Sequence, residues 1–257
     1  MRKVYFVGCG PGDPELLTVR AKKLIEGADV LVYSGSLIPQ GIMALARRAE
    51  LHDAAKLVRE EIFGILRDGA LGGKLVVRLH DGDPSIYGAI REQTDSLKKE
   101  GVECEVVPGI TSFLASAAAL GCELTLPGIT QTIIVTRAES RTKVPSREKI
   151  SSLARHRATM IFYLSVHLLS EIVREAVKGG YPRGTPAAAV YRASWKDEKV
   201  ITGTLGDIAK KVRDAGITKT AIIIIGDVVN PRHYEYSRLY DKTFSHGYRK
   251  ARAPSKA

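Results

Sequence analysis

Val77-Arg78-Leu79-His80-Asp81-Gly82-Asp83-Pro84-Ser85-Ile86-Tyr87-Gly88-Ala89 decides the fold. Leu75 to Leu79 is a short, mostly apolar run rich in β-branched residues, the pattern of a strand covered on both faces. A Gly-Asp-Pro turn follows. Asp83 is placed to cap a helix, Pro84 to occupy its first turn, and Gly82 to bring the backbone close to a ligand that a Cβ would exclude. In an open α/β sheet the carboxyl end of a strand is where ligands bind. A single turn of this kind is an ordinary strand-to-helix connection, but this chain builds two.

The earlier one follows the first strand, Lys3 to Val7, as Gly8-Cys9-Gly10-Pro11-Gly12-Asp13-Pro14-Glu15. Asp13 is expected to cap the next helix, where Leu17, Ala21, Leu24 and Ala28 recur at helical spacing. Gly8-x-Gly10 resembles the start of a dinucleotide fingerprint, but Pro11 interrupts it and Asp13 stands where the third glycine belongs. An aspartate there also repels a pyrophosphate. The turn therefore suits close backbone approach to something other than a diphosphate.

Working outward, strands are expected at Ala28 to Tyr33, Glu103 to Val107, Thr132 to Thr136, Met160 to Leu164, Ala187 to Tyr191 and Ala221 to Gly226. Residues 40–72 read as mostly helical. Further helices are expected after Pro84, at Phe113 to Leu120, Arg147 to Arg155, His167 to Lys178 and Leu205 to Ala215. Alternating strands and helices with short loops imply α/β domains with largely parallel sheets. Gly121 to Thr130, with two glycines, a proline and two threonines, is the expected boundary. It separates an N-terminal domain (1–121) from a C-terminal domain (130–240) and a basic tail (241–257). A cleft between two such domains is the natural ligand site.

Composition narrows the class. The 257 residues are 44% hydrophobic and 26% charged, as in a soluble globular protein. No apolar run approaches the roughly 18 residues of a membrane helix, and the N-terminus shows no signal-peptide core. A cytoplasmic protein without a membrane partner is expected. Cys9, Cys104 and Cys122 lack metal-ligand spacing and read as structural thiols of a reducing compartment, so no bound metal is expected. A net charge of +11, from 39 basic and 28 acidic residues, favours an anionic partner.

With these turns in place, the chain resembles the tetrapyrrole methylases over nearly its whole length. The resemblance is carried by Val7 to Thr18, by Asp81-Gly82-Asp83-Pro84, by Pro108-Gly109-Ile110-Thr111-Ser112 and by the Met160 to Leu164 strand. It implies two α/β domains, S-adenosyl-L-methionine as methyl donor, a polycarboxylate tetrapyrrole as substrate, and a homodimer. Within the family, Tyr33-Ser34-Gly35-Ser36-Leu37, Thr136 to Pro145 and Tyr191-Arg192-Ala193-Ser194-Trp195 resemble members that methylate C11 of precorrin-4 or its cobalt form. Lys143 stands where the family would have proline and Ser140 where it would have glycine, which touches substrate fit more than membership.

Carried over by motif, Pro11, Asp81, Gly82, Asp83, Ile86, Thr111 and Ser112 are expected to hold the donor from the first domain, and Leu164, Ala193 and Ala221 from the second. Core packing is the competing role of the aliphatic ones. Arg137, Arg141, Lys143 and Arg192, with Ser36, are the expected substrate-binding set, because guanidinium groups grip carboxylates bidentately. A solvated charged loop is the alternative. His80 and Asp81 are candidates for proton handling, and Tyr33 and Glu139 for orienting the macrocycle. His156 and His167 read as structural. No Ser/His/Asp or Cys/His nucleophile is present, and none is needed for displacement at a sulfonium methyl. Four rivals stand beside this reading: another ring methylase such as one acting on uroporphyrinogen, a methylase of RNA or of a modified protein residue, a non-catalytic nucleotide- or RNA-binding module, and a dehydrogenase. Nucleic acid is not the expected partner, because no basic-aromatic stacking platform is evident.

Overall fold

The computed structural model describes residues 2–252; the end of the expected basic tail, 253–257, lies outside them. The chain divides into two compact units. Residues up to Leu120, together with Val190–Val200 and Ile217–Ile222, form the first; Gly121–Ala189, Ile201–Gly216 and the chain from Ile223 form the second. Two later segments of the chain thus belong to the first unit.

In the first unit β1 (Lys3–Gly8), α1 (Val19–Gly27), β2 (Val30–Tyr33), α2 (Gln40–Met43), β3 (Glu50–Asp53), α3 (Arg59–Leu71), β4 (Val76–His80), α4 (Ile90–Lys99), β5 (Glu103–Val107) and α5 (Ser112–Leu120) follow in order. The sheet order is β3-β2-β4-β1-β5, and every neighbouring pair is parallel. Alternation along each strand splits its side chains between two cores. Val7, Leu31, Val77 and Leu79 pack with Ala21 and Ile25 of α1. Val4, Phe6, Val30, Val32 and Val76 pack with Leu66, Ala70 and Leu97 on the other face. Burial on both faces is why β1, β2 and β4 read as unbroken apolar runs.

Three local expectations are corrected. Residues 40–72 are not mostly helical: β3 intervenes, paired in register with β2. It is a polar edge strand, Glu50-Leu51-His52-Asp53, half of it exposed, so it carries no hydrophobic period. Asp13 caps only the single 3-10 turn Pro14–Leu16, accepting from the Glu15 N–H. Leu17 and Thr18 are then extended, and the Thr18 hydroxyl caps α1. Nor does a helix start after Pro84. Tyr87 and Ala89 adopt left-handed φ values of 57° and 49°, and α4 begins only at Ile90.

The other five-stranded sheet is built from β6 (Ile133–Arg137), β7 (Thr159–Tyr163), β8 (Pro186–Tyr191), β9 (Lys199–Thr204) and β10 (Ala221–Ile225), in the order β6-β7-β10-β8-β9. The short α6 (Ile150–Leu153), α7 (Leu169–Lys178) and α8 (Ile208–Asp214) accompany it. β6 and β7 are parallel, but β10 runs antiparallel to β7, so the expectation of a largely parallel sheet gives way here to a mixed one. β9, another half-exposed strand, was not expected from the sequence. Among the described residues no helix is long and apolar enough to cross a membrane.

Candidate active site

β1, β4 and β5 are adjacent and parallel, so the turns that follow them leave the sheet at one edge. Their backbones are tied together. The Cys9 N–H donates to the His80 carbonyl at 2.8 Å; Gly10 and Gly82 exchange N–H···O bonds of 3.2 and 2.8 Å. Gly82 sits at φ +60°, and a Cβ on Gly8 would lie 2.6 Å from the Gly82 carbonyl oxygen and 2.7 Å from the Gly109 nitrogen. Only glycine permits that crossing. The Asp83 carboxylate completes the tie: Oδ1 accepts the Ser85 N–H at 2.8 Å, and Oδ2 the Gly109 N–H at 2.9 Å. Asp83 thus holds the second turn against the third.

The same edge carries an unusual charge arrangement. Arg78 is 7% exposed. A single guanidinium nitrogen, Nη1, donates to the Val32 and Leu79 carbonyls and to Ser34 Oγ, at 3.1–3.4 Å, while Nε is buried without a partner. Burial lowers its pKa to about 10, with Asp81 opposing. His80 is 3% exposed and stacked on Phe6. Burial, reinforced by Arg78, pulls its pKa down to about 3. Burial therefore favours the neutral imidazole, whose Nε2 is enclosed without a hydrogen-bond partner. Asp81 keeps solvent access. Surrounding protein raises its carboxyl pKa, with its own backbone N–H and Arg78 pulling the other way. Cys9, fully buried, is held as a thiol with its pKa pushed up to about 12, mainly by burial.

Most of the expected donor-binding residues converge here. Thr111 is buried and its Cα borders Gly82. Ser112 opens α5, and the Ile86 N–H donates to the Asp83 carbonyl at 3.2 Å. Ala193 packs on Ala115 and Leu120 of α5. The Arg192 N–H reaches the carbonyl of Thr220, just before Ala221. Pro11 is tied to the Tyr191–Trp195 segment, as described below. Ala193 and Ala221 thus belong to the first unit, not to the second domain where the sequence placed them. A bound S-adenosyl-L-methionine is met by a suitable donor set. The exposed Asp81 carboxylate complements its positive charge, and the glycines and the buried Thr111 let backbone groups approach it closely.

Leu164 lies in the second unit. It is 65% exposed with φ 54°, a leucine held both strained and in solvent at the end of β7. Such outliers persist where function requires them. The substrate residues divide. Arg137 donates to the carbonyls of Ala138, Thr142 and Lys143 at 2.8–3.3 Å, and the Glu139 carboxylate accepts the Val144 N–H at 3.5 Å. Both therefore fold the 138–144 loop on itself, which leaves Arg137 less free for a ligand than expected. Arg141 and Lys143 stay exposed on that loop. In the first unit Ser36 is exposed and Tyr33 half-buried. Arg192 is paired with Asp197 at 2.8 Å.

Sequence reasoning passed over Arg78, although a charge inside an apolar strand run was a visible signal. It also passed over Trp195, quoted for its resemblance but given no role.

The comparisons agree with one another. The family model for Tetrapyrrole (Corrin/Porphyrin) Methylases matches residues 3–209. The chain is 51% identical, over 97% of its length and 97% of the relative's, to a cobalt-precorrin-4 C(11)-methyltransferase of Methanocaldococcus jannaschii. It is 46% identical to one of Priestia megaterium, covering 96% of this chain and 98% of the other. Its fold is similar to the X-ray structure of a cobalt-precorrin-4 methyltransferase of cobalamin biosynthesis, with a TM-score of 0.88 at 45% identity, covering 90% and 97% of the two chains. It is also similar to a uroporphyrin-III C-methyltransferase from Thermus thermophilus solved with S-adenosylhomocysteine, with a TM-score of 0.74 at 31% identity, covering 91% and 96%.

Proposed function

Because this chain belongs to the tetrapyrrole (corrin/porphyrin) methylases, we propose that it is a methyltransferase of cobalamin biosynthesis that uses S-adenosyl-L-methionine to methylate C11 of precorrin-4 in its cobalt-bearing form. The likeness to two cobalt-precorrin-4 C11-methyltransferases over nearly the full chain supports that substrate. The three knitted turns at the edge of the first sheet are the observation that carries the donor site. Uroporphyrinogen methylation, the rival within the family, has the weaker likeness.

The donor supplies an electrophilic methyl on a cationic sulfur. The chain's residues need only hold, orient and exclude water, and such positioning is worth about 7–11 kcal/mol when the geometry is near attack. Asp83 and the glycines at 8, 82 and 109 fix the turns. Pro11, Gly82, Ile86, Thr111, Ser112, Ala193 and Ala221 contact the donor, and the Asp81 carboxylate offsets its positive charge. Asp81, not His80, is the group open to solvent that can hold a proton as the ring loses one. Arg141 and Lys143 bind ring carboxylates. The same reading takes the protein as a cytoplasmic homodimer, an expectation drawn from the family and testable by sedimentation.

Incubation with cobalt-precorrin-4 and donor carrying a carbon-13 methyl, followed by NMR of the product, tests the assignment. Label at C11 is expected. Label at another ring carbon changes the regiochemistry, and no transfer overturns the reading.

A further inference from the structure

The segment Tyr191 to Glu198 is folded as a clasp on the first turn, and both belong to the same unit. The Trp195 indole Nε1–H donates to the Pro11 carbonyl at 2.8 Å across 184 residues. Beside it, the Asp13 N–H donates to Ser194 Oγ at 3.0 Å. A methyl group on Gly12 would overlap the indole, so the turn is cut to admit that ring. The clasp is itself braced. Arg192 lies over the Trp195 ring at 4.7 Å and over Tyr191 at 5.2 Å, and pairs with Asp197. The Ser194 N–H donates to Glu198 at 2.6 Å, and that of Trp195 to the Arg192 carbonyl at 2.9 Å. Arg192 and Ser194 take φ values of 46° and 70°, a left-handed backbone that side-chain-bearing residues hold only when their surroundings fix it.

We infer that Trp195 is a positioning residue: its indole N–H fixes the Pro11 carbonyl and with it the first donor-binding turn, so that the site is formed before the donor arrives. This rests on the donor site proposed above. Binding is tighter when the bound geometry already exists, because less ordering remains to be done. Ser194 acts on the same turn from its other side, and Arg192 serves the clasp through stacking in place of the substrate contact first expected of it. Trp195 is also the chain's one tryptophan, so its emission reports on this turn alone.

The test is titration with S-adenosylhomocysteine, followed by calorimetry and by tryptophan fluorescence. In the wild-type protein the emission should change with a midpoint that matches the calorimetric Kd. Trp195→Phe keeps an aromatic ring beside Gly12 and removes the N–H together with part of the indole that Arg192 stacks on. It should raise the Kd about threefold to tenfold, the worth of one such bond. It should raise KM for the donor similarly and leave kcat at saturating donor near the wild-type value, a split that general destabilisation would not give. Ser194→Ala should act in the same direction. Unchanged affinity in Trp195→Phe, or unchanged wild-type emission at calorimetric saturation, overturns the inference and leaves the donor site standing. Absence of any binding to the wild-type protein overturns both. The fluorescence arm holds even where a variant fails to fold.

Discussion

Replacing Asp83 separates a ligand contact from a structural tie. Its carboxylate accepts two backbone N–H groups, that of Ser85 in an exposed turn and that of Gly109 in a partly buried one. A hydrogen bond to a charged group is worth about 1.5–3 kcal/mol, and an exposed one about 0.5–1.5 kcal/mol. Asp83→Ala loses both and leaves the Gly109 N–H without its acceptor, so it should cost roughly 2–4 kcal/mol. For a chain of this length each kcal/mol moves Tm by roughly 2–4 °C, which gives a fall of roughly 5–15 °C. Asp83→Asn keeps one acceptor and turns an amide NH2 toward the other N–H, so it should fall most of the way. Scanning calorimetry measures the shift, and calorimetric titration with S-adenosylhomocysteine well below Tm measures the site. Donor affinity should fall together with stability, because the second and third turns part. A direct ligand role predicts the opposite pattern for Asp83→Asn, with affinity lost at unchanged Tm. A Tm within 1 °C of wild type would refute the tie.

Four further outcomes follow from the same geometry. His80 is neutral in the folded protein, with a pKa near 3 against an ordinary 6.5. The unfolded chain takes up the proton first, so His80 contributes stability that is present above pH 6.5 and lost as pH falls toward 3. Between pH 7 and pH 5 this is about 2 kcal/mol, at 1.36 kcal/mol per proton per pH unit. Urea unfolding of His80→Phe should lack that portion of the loss, and equal pH dependence in both proteins would contradict it. Arg141→Ala should weaken tetrapyrrole binding about tenfold, as for one charge-assisted contact, and leave S-adenosylhomocysteine affinity unchanged. Arg137→Ala should instead loosen the 138–144 loop, seen as faster proteolysis there; if Arg141→Ala binds substrate normally, Arg141 is not in the site. Gly8→Ala forces a methyl against the Gly82 carbonyl and the Gly109 nitrogen. It should cost about 1–3 kcal/mol or more, as overpacking does, and abolish donor binding; a wild-type Tm would show that the crossing is not tight.

What the sequence made legible divides along physical lines. β1, β2, β4 and β10 could be read because burial on both faces requires unbroken apolar runs, as in Ala221-Ile222-Ile223-Ile224-Ile225. β3 and β9 could not, because edge strands in solvent need no such pattern and owe their existence to a neighbour's backbone. The helix expected after Asp83 failed for a related reason. An aspartate followed by proline reads as a helix cap, yet here the carboxylate serves one local N–H and one that is 26 residues away. His80 was legible as a residue near the site but not as neutral, since its depressed pKa comes first from burial and then from Arg78 on its own strand.

The site itself shows why its parts differ in visibility. Parallel neighbours require a crossover, so the ends of β1, β4 and β5 meet at one edge although long stretches of chain separate them. Their approach is tight enough to exclude a Cβ at Gly8 and Gly109, and Gly82 takes a left-handed φ of +60°, so the trace left in the sequence is a glycine at or just after each strand end. In the sequence, Gly82 reads as room for a ligand; in the fold the turns also meet one another. The clasp leaves no comparable mark on its target. Trp195 binds a backbone carbonyl, which every residue type offers, so nothing about Pro11 announces a partner 184 residues away. Residues that recognise side chains can be guessed in pairs from sequence. Residues that recognise backbone, as Asp83, Ser194 and Trp195 do, become visible only once the fold has placed them.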